Sequence, residues 1–63
     1  MSKIWFAYYG VDVIGTTVAE NAEEAREKLK RQALLVGGND WFNPLDLINR
    51  LTYATMKPMK LGD

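Results

Sequence analysis

The sequence predicts an α+β domain of order β-β-α-(short α)-β, a three-stranded antiparallel sheet with its helices packed on one face. Three observations carry that expectation. Two runs of β-type residues flank an early glycine, an amphipathic stripe follows between an Asn cap and a glycine pair, and a second capped segment leads into a closing β-type run. With 63 residues and no cysteine or histidine, the chain is expected to be a single domain over 1–63. A domain this small buries only about 60% of the surface of its unfolded chain, so its stability margin is narrow. Its 48% apolar content and seven aromatics favour a packed globule over a disordered tail.

K-I-W-F-A-Y-Y over residues 3–9 reads as the first strand. Gly10 breaks the run, and V-D-V-I-G-T-T-V-A resumes it through Ala19. A two-residue turn at Gly10-Val11, glycine first as a type II′ hairpin requires, would pair Tyr8 with Val13, Phe6 with Gly15 and Ile4 with Thr17. A longer turn through Asp12 is the alternative.

The junction A-E-N-A-E-E-A switches from strand to helix. Asn21 is a good N-cap and Glu24 stands at the capping-box spacing. Ala22, Ala25, Leu29, Ala33 and Val36 form one apolar stripe. Acidic residues crowd the first turns, and Glu24–Lys28 and Glu27–Arg31 are favourable i,i+4 pairs. Gly37-Gly38 ends the helix, and Asn39-Asp40 continue as a turn. In W-F-N-P-L-D-L-I-N-R, Asn43 caps a short second helix, Pro44 takes its first position, and Leu45, Ile48 and Leu51 face inward. L-T-Y-A-T-M-K reads as the third strand, limited by Pro58 at an edge, giving strand order 2-1-3. The tail K-L-G-D is expected to fray.

Catalytic chemistry finds no support in these residues. The only serine is Ser2, and no histidine exists to activate a nucleophile. Asp12 and Asp40 read as turn residues, Glu20, Glu23, Glu24, Glu27 and Asp46 as helix-start residues, and Asp63 ends the chain. Glu23 and Glu27 read as helix-dipole partners rather than metal ligands. V-G-G-N-D follows a helix instead of preceding one, so it is a stop signal and not a phosphate cradle. Lys28, Lys30 and Arg31 are interleaved with acids and read as a solvated face rather than a phosphate-binding one. No enzyme activity, cofactor or metal is expected.

Eight basic residues balance eight acidic ones, so no global field draws the chain to nucleic acid or an anionic membrane. No apolar run approaches the roughly 20 residues of a spanning helix. M-S-K-I-W-F does not read as a secretion signal, and a cytoplasmic setting is expected.

What remains is apolar surface. In the expected register Ile4, Phe6, Tyr8, Val13, Thr17 and Ala19 share one hairpin face, while Lys3, Trp5, Ala7, Tyr9, Asp12, Ile14, Thr16 and Val18 share the other. A sheet with one solvated face should alternate apolar with polar residues. Here both faces are loaded, and one helix layer can shelter only one of them. Either the segment with Trp41 and Phe42 folds back over the second face, or another protein covers it. The expected protein-binding residues are Trp5, Tyr9, Ile14 and Val18, with Trp41 and Phe42 second. A nucleic-acid alternative would stack bases on Trp5 and Tyr9 while Lys3, Lys57 and Lys60 hold phosphates. A structural homo-oligomer, a homodimer for example, is the third reading.

Residues 3–29, with their aromatic first strand and A-E-N-A-E-E-A junction, resemble short proteins of bacteriophages and mobile elements that carry a β-hairpin followed by a helix. The resemblance implies a protein that binds a bacterial host enzyme or complex and blocks or redirects it, in the host cytoplasm if phage-encoded. No site residue transfers, because such proteins use different surfaces, and W-F-N-P-L-D-L-I-N-R has no counterpart there. The expected function is therefore a non-enzymatic protein-binding domain, an inhibitor or modulator of a host enzyme or complex.

Overall fold

The computed structural model describes residues 2–38 and 42–59. Its elements are β1 (Lys3–Tyr9), β2 (Asp12–Ala19), α1 (Ala22–Val36), α2 (Pro44–Tyr53) and β3 (Thr55–Pro58). The strands form one antiparallel sheet of order β2-β1-β3, the α+β topology expected. The expected turn at Asn39-Asp40 and the tail over 60–63 lie outside the described residues.

The hairpin closes on Tyr9↔Asp12 across Gly10-Val11. Gly10 has φ 65° and Val11 stays at negative φ, the pattern of a glycine-first tight turn. Tyr8↔Val13 pairs as expected, but the register then slips: Ala7 pairs with Gly15, Phe6 with Thr16, Trp5 with Thr17 and Ile4 with Val18. Ile14 is the extra residue of a two-against-one β-bulge. This corrects the expected pairs Phe6–Gly15 and Ile4–Thr17. A one-residue slip sends each later side chain of β2 to the opposite face, so Thr16 and Val18 join Phe6 and Ile4, while Thr17 and Ala19 join Trp5.

Helix α1 starts where the junction predicts. The Asn21 side-chain oxygen accepts the Glu24 amide at 2.8 Å, and Lys28 pairs with Glu24 at 3.4 Å. Ala25, Leu29 and Ala33 are buried, whereas Val36 is 74% exposed because the stripe outruns the body it packs on. Gly37 ends the helix with φ 76°, a backbone that L side chains rarely adopt. Helix α2 begins at Pro44, with the Asn43 side chain accepting the Leu45 amide at 3.0 Å.

Two corrections concern α2. It continues through Tyr53, and the third strand is only Thr55–Pro58. Its inward residues are Leu47, Ile48 and Leu51, whereas Leu45 is exposed. The cause is tertiary. Leu51 is needed beside Leu47 in the core, and Arg26 of α1 reaches across to donate to the carbonyls of Leu51 and Thr52, each at 2.6 Å. Those contacts satisfy helix-end carbonyls and outweigh the β preference of Leu-Thr-Tyr.

The core lies between the helices and one face of the sheet. One cluster joins Ala7, Leu29, Leu51 and Ala54, with Ile14, Leu47 and Met56 packed against it. The other joins Trp5, Ala19 and Ala25, with Ala22 and Met56. Both draw on the odd-numbered residues of β1, so both helices cover that side.

Candidate functional site

The even-numbered side of β1 faces away from both helices. Ile4, Phe6 and Tyr8 run along its centre, with Val18, Thr16 and Val13 directly opposite on β2. On β3, Thr55 stands beside Tyr8 and Lys57 beside Phe6. Val13 and Val18 are each 50% exposed, and Ile4 is 36% exposed. Phe6 and Tyr8 are half-buried by mutual packing, their ring centroids 6.3 Å apart. The Lys57 ammonium lies 5.5 Å from the Tyr8 ring centroid, a cation–π contact. Among the described residues the result is an open apolar face with two adjacent aromatics at its middle.

The sheet's edges, by contrast, are closed to further strands. The Ile4 carbonyl accepts the Met59 amide at 2.6 Å, so it points toward β3. By the alternation of antiparallel pairs, Val18 opposite it turns its own N–H and C=O to the outer edge of β2. Lys28 Nζ donates to that Val18 carbonyl at 2.8 Å, and the bulge at Ile14 kinks the same edge. On the other side β3 has only four residues. By the same alternation Pro58, which has no N–H to offer, falls on the outer rim. A capping lysine, a bulge, a short strand and a proline are standard means of discouraging edge pairing. The described edges are thus poor templates for a further strand.

Of the residues expected to bind protein, Trp5 is 9% exposed and turned into the core, its indole N–H donating to the Ala19 carbonyl at 3.0 Å. Ile14 packs against the core through the bulge. Tyr9 is 44% exposed on the helix-covered side, with the Arg50 guanidinium 5.8 Å above its ring. Val18 alone of the four lies on the open face. Phe42 is half-buried and lines a solvent-open cavity of about 320 Å³ with Ile14, Asn43, Asp46, Leu47 and Arg50. The charges of that cavity answer each other, Arg50 pairing with Asp46 at 3.3 Å. Trp41 lies outside the described residues.

The two described lysines of the nucleic-acid alternative, Lys3 and Lys57, lie on opposite faces of the sheet. Lys57 is on the open face, Lys3 shares the parity of Trp5 on the other, and Lys60 lies outside the described residues. Of the two rings on which that alternative stacks bases, Trp5 is buried in the core and Tyr9 carries the Arg50 guanidinium over its ring. Among the described residues no three His, Cys, Asp or Glu side chains are grouped to hold a metal ion. No helix among them is long and apolar enough to cross a membrane.

Sequence reasoning missed Thr16 as a surface residue because it missed the bulge, and Ile4, Phe6, Tyr8 and Val13 because both sides of β1 are apolar and it took the Trp5 side as the free one. One signal was present: an isolated glycine inside a strand pattern, Gly15, marks a bulge or a close backbone approach. Arg26, which ties α1 to the end of α2, left no sequence signal.

The chain matches no protein-family model, no curated protein and no solved structure. Residue roles here rest on geometry alone.

Proposed function

We propose that this chain is a non-enzymatic protein-binding domain that works through the open face of its sheet. It fits the kind of phage or mobile-element modulator that its hairpin-and-helix segment resembles, acting in the cytoplasm on a bacterial host enzyme or complex. One observation carries the reading: Ile4, Phe6, Tyr8, Val13 and Val18 form a contiguous apolar face that neither helix covers, on a sheet whose edges are blunted. Clustered apolar surface on a small domain marks an interaction site, and aromatics at its centre are the usual hot-spot residues.

The test is affinity capture from bacterial lysate with identification of the retained protein, using the wild-type chain, Val18→Lys and Val11→Lys. Val11 is 93% exposed at the hairpin tip, so its substitution is the control. Capture lost with Val18→Lys and kept with Val11→Lys is the expected outcome. Capture indifferent to Val18→Lys, with the fold intact by circular dichroism, would remove the open face as the working surface.

A further inference from the structure

We propose that the cavity between α2 and the hairpin binds a small apolar carboxylate, an aromatic or branched-chain acid held at its charge by Arg50. The site lies on the helix-covered side of the sheet. It is separate from the open face and does not rest on that reading.

The cavity has an apolar floor. Its volume is about 320 Å³, at the lower end of the roughly 300–1,000 Å³ of small-molecule sites, which suits a single ring or a branched acyl chain rather than a large cofactor. Ile14, Phe42 and Leu47 supply the floor. Ile14 and Leu47 pack from behind on the buried cluster of Ala7, Leu29, Leu51 and Ala54. Ile14 is also the extra residue of the bulge in β2. Bulges re-aim a side chain and gather beside functional sites, and the side chain re-aimed here lines the cavity.

Helix α2 supplies the polar rim. Asn43, Asp46, Leu47 and Arg50 line the cavity at the i, i+3, i+4, i+7 spacing of one helix face. Arg50 is positioned twice. Its guanidinium lies 5.8 Å from the centroid of the Tyr9 ring, and its Nη2 meets Asp46 Oδ2 at 3.3 Å. That contact is longer than the roughly 2.7–2.9 Å of a tight charge-assisted bond, and it engages one nitrogen of a group rich in N–H donors. Arg26 is the contrast, since its guanidinium is spent on the carbonyls of Leu51 and Thr52 at 2.6 Å each. The Arg50 fork is held in place with donors to spare.

The ligand class follows from these parts. Asp46 already sets a carboxylate oxygen on Arg50, and a guanidinium fork matches carboxylate geometry. Asp46 is half-exposed, so an incoming acid can take a further edge of the fork while Asp46 stays in water. A bare inorganic anion would leave the apolar floor wet, and an uncharged hydrocarbon would leave the fork unused. The chain has no net charge to repel an anion.

The experiment is an amide-resolved NMR titration of the full chain with phenylacetate, phenylacetamide and inorganic phosphate, on wild type, Arg50→Met and Asp46→Asn. Phenylacetate should give saturable shifts around Ile14, Phe42, Leu47 and Arg50, with a Kd on the order of 1 mM, a level that about ten non-hydrogen atoms can supply. Phenylacetamide, with the same body and no charge, should bind roughly fivefold more weakly, and Arg50→Met should bring phenylacetate down to the level of the amide. Asp46→Asn removes the competing acid and should tighten phenylacetate by roughly threefold, a gain that a purely structural ion pair does not predict. Thermal unfolding checks that both variants keep the fold. Absence of saturable shifts at about 20 mM phenylacetate would overturn the site. Equal binding of acid and amide would overturn the part given to Arg50, and phosphate binding as tightly as phenylacetate would overturn the apolar body. Shifts centred on Phe6 and Tyr8 would place the ligand on the open face and overturn the cavity as its site.

Discussion

Gly15→Ala probes the covered side of the sheet at its tightest point. An ideal Cβ at Gly15 would stand 3.0 Å from Leu29 Cδ2, 3.1 Å from Cδ1 and 3.5 Å from Cγ, against an ordinary carbon–carbon contact of about 3.5–4.0 Å. Leu29 would have to retreat by roughly half an ångström at its two methyls, and it is buried against Ala7, Leu51 and Ala54. Overpacking of this kind costs about 1–3 kcal/mol. Against it stands the entropy gain of replacing glycine in a strand, about 0.5–1 kcal/mol, available here because Gly15 is not among the positive-φ residues. The packing cost wins by about 1 kcal/mol, so the unfolding midpoint should fall by roughly 4–8 °C. Thermal and urea denaturation at one fixed protein concentration measure it. In a Leu29→Ala background the obstacle is gone, and the same Gly15→Ala change should turn neutral or stabilising, a sign reversal in the double-mutant cycle. If Gly15→Ala stabilised the wild type as much as the Leu29→Ala variant, Gly15 would not lie beneath Leu29. The bulge would then be misplaced and the assignment of the open face would fall with it.

Other substitutions separate folding from binding. Trp5→Ala should cost about 3–5 kcal/mol of stability, whereas Trp5→Phe, which keeps most of the packing and forfeits the bond to the Ala19 carbonyl, should cost about 0.5–1.5 kcal/mol; urea titration of both decides whether Trp5 is a core or a contact residue. Arg26→Met should cost about 2 kcal/mol by leaving the Leu51 and Thr52 carbonyls without their charged donor. Faster amide hydrogen exchange at Ala54, whose N–H bonds Leu51, would locate that loss at the end of α2, and unchanged exchange there would deny Arg26 its capping part.

Local chemistry made much of this fold readable. The Asn21 and Asn43 caps, Pro44 at the first position of α2, the glycine-first hairpin turn and the stop at Gly37 are each set by one or two residues and their backbone preferences, and each stands where expected. What the chain did not disclose depends on contacts between distant segments. Leu51-Thr52-Tyr53 carries β-type residues, yet Leu51 is drawn into helix by the cavity beneath α1 that it fills and by Arg26, twenty-five positions away in sequence. The open face was obscured for a related reason. Both sides of β1 are apolar, so alternation could not say which side the helices take, and a single extra residue at Ile14 exchanged the parity of β2 beyond it. Trp5 illustrates the consequence: its size suggested a hot spot, but its partners Ala19, Ala25 and Met56 make it the largest side chain of the core. Val18 lay on the open face through that same exchange.

The most direct measurement is the set of nuclear Overhauser contacts from the methyl groups of Leu29 and Leu51, recorded on the wild-type chain. The expected spectrum connects them to Ala7 and Ala54 and shows nothing from either leucine to the rings of Phe6 and Tyr8. Cross-peaks from those leucines to the Phe6 or Tyr8 rings, with Trp5 and Ala7 silent, would put the helices on the face described here as open.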